Sequence, residues 1–190
     1  MSRKEHMLTL PVLPGRDCGG CTACCTVLPA DDPTLKKQSG VDCAHCDVGA
    51  GCRIYETRPQ TCRDFFCGWR ALPKLGDEWR PDRSGVMITL DGADIPPGYA
   101  IRPGFRLLMT EAEVKLDPPA FAGYVAGLVD AGIPTFLSLP GPPGHHFAKI
   151  FLNDRLRAAV QDRDLARVLD GLESAFAILA EGEFEPVVLS

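Results

Sequence analysis

The sequence predicts an α+β protein, in which a loop-rich segment organised by cysteines precedes a small, mainly antiparallel sheet with a C-terminal helix. Three observations predict it. All nine cysteines fall between Cys18 and Cys67. Beyond them, short β-rich runs are punctuated by glycine and proline. The chain then closes on a stretch whose apolar residues recur at helical spacing.

Residues 1–17 read as an extended lead-in, 18–80 as a cysteine-rich domain and 81–190 as an α+β region. The cysteine-rich part should be mostly short turns with two brief helical pieces. A helix starting near Cys21 would put positions 21, 24 and 25 on one face, at i, i+3 and i+4. Pro59 suits the first turn of a second short helix, and Arg58 before it should be extended. Residues 71–81, with Pro73, Gly76 and Pro81, read as a connector. The β-rich runs are 86–90, 99–102, 105–110, 135–139 and 148–152, with a helix over 120–131 between them. Residues 162–180 predict the last helix, with Leu165, Val168, Leu169, Leu172, Phe176 and Leu179 along one face against the sheet.

Composition narrows the function classes. With 45% hydrophobic and 24% charged residues in 190, the chain is globular rather than disordered. A net charge of −5 without a basic cluster gives no reason to expect nucleic acid as a partner. No apolar run approaches the roughly 20 residues of a membrane span. The N-terminal stretch, with Pro11 and Pro14 breaking a short apolar run, does not read as a secretory signal. The cytoplasm is therefore the expected compartment, and there thiols stay reduced.

In that compartment nine cysteines point to metal rather than to disulfides, and nine cannot all pair. Cys18, Cys21, Cys24 and Cys25 form the run CGGCTACC. Gly19 and Gly20 let the first loop adopt angles closed to other residues and aim amides at a sulfur. Two ligand sets compete on spacing. Cys18, Cys21 and Cys24 match the C-x2-C-x2-C run of an iron–sulfur site, with Cys67 as a remote fourth ligand. Alternatively, Cys21 and Cys24 are separated by 18 residues from Cys43 and Cys46, the spacing of a zinc site. Cys62 and Cys67 can share a site only if a helix ends between them, with Gly68 as a stop. Four thiolates on one zinc leave a net charge of about −2, which Arg53, Arg58 and Arg63 are placed to balance. Phe65, Phe66 and Trp69 would wall the site from water.

These residues carry a resemblance. Cys18, Cys21, Cys24 and Cys25, then Cys43, Cys52, Ile54, Tyr55, Arg58, Pro59, Cys62, Arg63, Phe65 and Cys67 follow the pattern of the CxxCxxCC family. Its members, also called YkgJ-type cysteine-cluster proteins, are described as zinc- or iron-chelating domains. The glycine of the second block is out of register, with Ala50 in its place between Gly49 and Gly51. The resemblance covers residues 18–70 and implies that residues 18–80 bind metal through Cys18, Cys21, Cys24, Cys25, Cys43, Cys52, Cys62 and Cys67. Eight thiols allow two four-thiolate sites, or one site plus redox or spare thiols. Cys46 sits where relatives more often carry an aliphatic residue and is the odd one out.

The expected function is metal binding, with an iron–sulfur cluster slightly ahead of Zn²⁺. Two alternatives stand beside it. Flagellin lysine methylases resemble the same block and imply an iron–sulfur-dependent methyl-transfer enzyme; a zinc-stabilised interaction module is the other. His45 lies between two cysteines as a lesser nitrogen donor. His145 and His146 follow Gly-Pro-Pro-Gly in an expected surface loop, and His6 lies in the lead-in. Nothing resembles a phosphate-binding loop, a nucleophile elbow or a catalytic triad.

Overall fold

A computed structural model of the chain describes residues 11–111 and 114–187. The expectations for the first ten residues, His6 among them, lie outside the described residues.

The cysteine-rich part is built from very short elements: helix α1 (Ala23–Val27), strands β1 (Ala30–Asp32) and β2 (Leu35–Lys37), strands β3 (Cys46–Asp47) and β4 (Gly51–Cys52), and helix α2 (Gln60–Asp64). Strands β1 and β2 form one antiparallel hairpin, and β3 and β4 form another. Neither hairpin is visible in the sequence, because two- and three-residue strands leave no alternation to read. Helix α1 starts at Ala23, not at Cys21; its N-cap is Thr22, and Cys21 precedes it in a turn closed by Cys21 N–H to the Cys18 carbonyl at 2.8 Å. Arg58 is extended, with ψ 145°, and Pro59 caps α2.

Helices α3 (Gly68–Ala71) and α4 (Pro81–Ser84) lead into the sheet. The stretch read as a connector is core instead, with Leu75 and Trp79 buried. The lead-in docks on it: the Arg16 guanidinium donates to the carbonyls of Trp69, Leu72 and Leu75, and Arg70 Nε donates back to the Arg16 carbonyl at 2.8 Å.

The sheet has four strands in the order β5 (Val86–Asp91), β6 (Gly104–Met109), β7 (Thr135–Leu139) and β8 (Ala148–Phe151). The β5–β6 and β7–β8 pairs are antiparallel, and only β6–β7 is parallel. That parallel pair needs a crossover, supplied by helix α5 (Pro118–Asp130). Asp117 caps α5 through the Ala120 amide at 3.1 Å, and Pro118 follows where a missing N–H costs nothing. Residues 99–102 form no strand; they lie in the loop before the cis Arg102–Pro103 bond.

Helices α6 (Asn153–Gln161) and α7 (Leu165–Ala180) complete the fold. The sequence joins residues 162–164 to the final helix, whereas the chain breaks there. Arg163 takes φ 56°, and the Asp164 carboxylate caps α7 through the Arg167 amide at 3.1 Å. Val168, Leu172, Ala175 and Leu179 form the buried stripe of α7, with Leu169 and Phe176 on its flanks and Leu165 exposed.

Strand alternation sends side chains to two different cores. Val86, Ile88, Leu107, Met109 and Leu137 pack under α5, α6 and α7. Met87 and Leu108 face the other way and meet Val27, Leu28, Cys24 and Phe65 of the cysteine-rich segment. Cys67 touches both groups. Helices thus cover one face of the sheet and the cysteine segment covers the other, which is why Val86, Met87 and Ile88 are all buried although they alternate in direction. Among the described residues, no helix is long and apolar enough to cross a membrane.

Candidate metal centre

The cysteine segment wraps a cavity of about 230 Å³. Cys18, Cys21, Cys24, Cys25, Cys43, Cys52, Cys62 and Cys67 all line it, with Phe65, Phe66 and His45. Cys46 is not among the lining residues. All nine cysteines are free thiols. Among the described residues, no three side chains of His, Cys, Asp or Glu close tightly enough to hold one metal ion. A space for a single water-sized body needs only about 10–15 Å³. The eight thiols therefore surround room for something considerably larger than one ion.

Local structure explains how residues so far apart in sequence reach this cavity. Gly19 has φ +50°, and a Cβ on Gly20 would meet the Gly49 carbonyl oxygen at 2.7 Å. The first cysteine loop thus lies against the tip of the β3–β4 hairpin. Thr22 Oγ1 fastens the contact by accepting the Gly49 amide at 3.2 Å. Cys43 N–H donates to the Cys25 carbonyl at 3.0 Å, which ties the lone cysteine to α1. The β3–β4 register places Cys46 opposite Cys52. Helix α2 does end between Cys62 and Cys67, at extended Phe65. Gly68 is not the stop; it opens α3.

Backbone donors reach the sulfurs. The Cys67 sulfur accepts the amides of Arg70 and Trp69, and the Cys21 sulfur accepts those of Ala23 and Asp82. Such amides favour the thiolate. Burial works against them: it is the largest influence on Cys21, whose pKa is pushed up to about 11, and it also raises Cys67. The Cys24 and Cys25 thiols touch and move apart in acidity. Donation to Cys25, then burial, then the charges of Cys25, Cys18 and Cys21 raise Cys24. Cys25 falls to about 6, chiefly because it accepts the Cys24 thiol, with help from Cys46, Lys37 and Arg58 against the cost of burial.

The cations differ from those expected. Arg53 pairs with Asp47 at 2.8 Å, and exposed Arg63 bonds Gln60 Oε1 at 2.9 Å. Of the three expected arginines, Arg58 alone lines the cavity. It stacks on Tyr55 at 3.7 Å, and its buried Nε has no hydrogen-bond partner among the described residues. Sequence reasoning missed two further cations. Arg70 Nη1 lies 3.9 Å from Cys18 Sγ. Lys37 is buried, its ammonium donates to the carbonyls of Leu28, Thr26 and Gln38, and it lines the cavity. Neither carries a sequence signal, since only folding brings it to the thiols. Trp69 also differs: it packs in the helix-side core and not against the cavity. His145 and His146 lie in a loop remote from the cysteines in sequence and outside the cavity lining.

A thiolate-bound cluster suits this donor set. The thiols line one cavity together with a buried lysine and an arginine whose Nε is unpartnered among the described residues, and amides point at two sulfurs. No family model, characterised protein or solved structure matches the chain.

Proposed function

We propose that this chain is a cytoplasmic metal-binding protein of the CxxCxxCC kind, holding an iron–sulfur cluster through its cysteine thiolates. The observation that carries the reading is the shared cavity, lined by the same eight cysteines that the resemblance marks as ligands. Eight thiolates in one place repel strongly, and buried positive charge without a counterion is costly. An anionic metal–thiolate centre relieves both: Lys37, Arg58 and Arg70 would neutralise it, and the Arg58 Nε would gain an acceptor.

The choice of iron over zinc rests on spacing. Zinc needs four ligands meeting at one point. In a four-iron cluster each thiolate binds a different iron, so wider thiols and a larger cavity are what such a cluster requires. Purification without oxygen tests it directly. The expected protein is brown, with visible thiolate-to-iron absorption and both iron and acid-labile sulfide. Colourless protein carrying stoichiometric zinc would instead be a zinc-stabilised module.

A further inference from the structure

We propose that Arg70 is a positioning residue that supplies positive charge to the metal centre at Cys18, and that the lead-in docked through Arg16 holds it there. Docking of the lead-in and reduction of the centre then favour each other. The inference rests on the metal-binding reading above and names what regulates that site.

Three contacts fix the Arg70 guanidinium. Its Nε donates to the Arg16 carbonyl at 2.8 Å, its Nη1 lies 3.9 Å from Cys18 Sγ, and it lies over the Phe66 ring at 5.1 Å. It also lines the cavity. Among the described residues no carboxylate pairs with it. Lys37 differs, because its ammonium donates to the carbonyls of Thr26, Leu28 and Gln38. Arg70 thus brings an unneutralised charge beside a sulfur that the resemblance marks as a ligand. Net charge and hydrogen bonds at ligand sulfurs are among the influences that set a cluster's reduction potential. Reduction adds a negative charge, so a cation beside Cys18 favours the reduced form, and more strongly in a half-buried site than in water.

The lead-in holds Arg70 at both ends. Leu13 N–H donates to the Arg70 carbonyl at 2.8 Å, and the Arg16 carbonyl accepts the guanidinium. Arg16 in turn anchors the lead-in: its own guanidinium donates to the carbonyls of Trp69, Leu72 and Leu75 and lies over the Trp69 ring at 5.4 Å. Cys18 follows two residues later, so one docked segment places both the sulfur and its cation. Docking and reduction that draw on the same contact are coupled, and such coupling is reciprocal.

The test is the reduction potential of the full-length chain purified anaerobically, titrated spectroelectrochemically. Arg70→Met should shift the reduced-to-oxidised ratio at a given applied potential about tenfold toward oxidised, which is about 59 mV for a one-electron couple. Arg70→Lys keeps the charge and should stay nearer the wild type. Arg16→Met should shift the ratio in the same direction by less, and Arg16→Met combined with Arg70→Met should shift it no further than Arg70→Met alone. Should Arg70→Met fail to fold, Arg70→Gln takes its place. A brown Arg70→Met protein with the wild-type potential overturns the proposal and leaves the metal-binding reading intact. A double variant whose shift is the sum of the two single shifts overturns the link to the lead-in. If the wild type is colourless and carries zinc, the iron reading fails, and the same variants are compared by the rate at which zinc passes to a chelator. Faster loss from Arg70→Met at low salt that disappears at high salt supports the charge role, because salt screens charge. No acceleration, or one that high salt leaves unchanged, overturns it. A wild type that takes up no metal overturns both readings.

Discussion

At the scale of single residues, the environment of each thiol separates cysteines that are chemically identical in the chain. Cys25 accepts a hydrogen bond from Cys24 and faces Lys37 and Arg58, which carries its pKa down to about 6. Burial carries Cys21 up to about 11. The thiolate is the nucleophile, so ionisation governs alkylation. Both effects belong to the folded segment and should vanish when the segment is disordered by removal of metal. Iodoacetamide should then label Cys25 and Cys21 of chelated protein at similar rates. Peptide mass spectrometry over a time course reads the order. A lasting preference for Cys25 that Lys37→Met abolishes would mean that the segment stays folded without metal.

At the scale of elements, the cysteine segment depends on close approaches that leave no room for a side chain. Gly68 opens α3, and a Cβ there would lie 2.8 Å and 2.9 Å from two carbons of Ile88 on β5. Ile88 is buried in the helix-side core and cannot simply swing away. Gly68→Ala should therefore destabilise the protein by about 1–3 kcal/mol, the range for overpacking a core. Denaturant unfolding measures it; an unchanged midpoint would mean that α3 moves freely against the sheet. Because Cys67 is the N-cap of α3, the same substitution should also weaken metal retention.

At the scale of the whole molecule, the two faces of the sheet have unequal support. The helix side buries a large continuous core that includes Trp69, Leu75 and Trp79. Among the described residues, the cluster on the cysteine side has only Val27, Met87 and Leu108 as buried members. So small a core cannot order fifty residues by itself, and bound metal supplies folding free energy directly. Chelation should accordingly disorder residues 18–65 while α5, α6, α7 and the 69–79 stretch persist. In ¹H–¹⁵N spectra the amides of 18–65 should collapse toward random-coil positions, those of Met87 and Leu108 should shift, and those of α7 should stay. Unchanged dispersion in 18–65 after complete metal removal would falsify the coupling.

The sequence by itself determined the class of the fold and the stretch in which all nine cysteines lie. Those properties reside in composition and in spacing along the chain. The apolar stripe of α7 was legible because sixteen residues span enough turns for a period to emerge. Tertiary structure alone decided the rest. The break at Arg163 depends on a left-handed backbone at a non-glycine residue, which no local preference announces. The two short hairpins are held by loop contacts such as Thr22 on Gly49, and the 71–81 stretch became core because the sheet needed Leu75 and Trp79 to cover it. Arg70 meets Cys18, 52 positions away, only in the folded chain, and the Lys37 ammonium reaches Cys25 only once the fold buries it beside α1. Spacing records which residues can ligate, whereas which of them share a cavity is set by the tertiary fold.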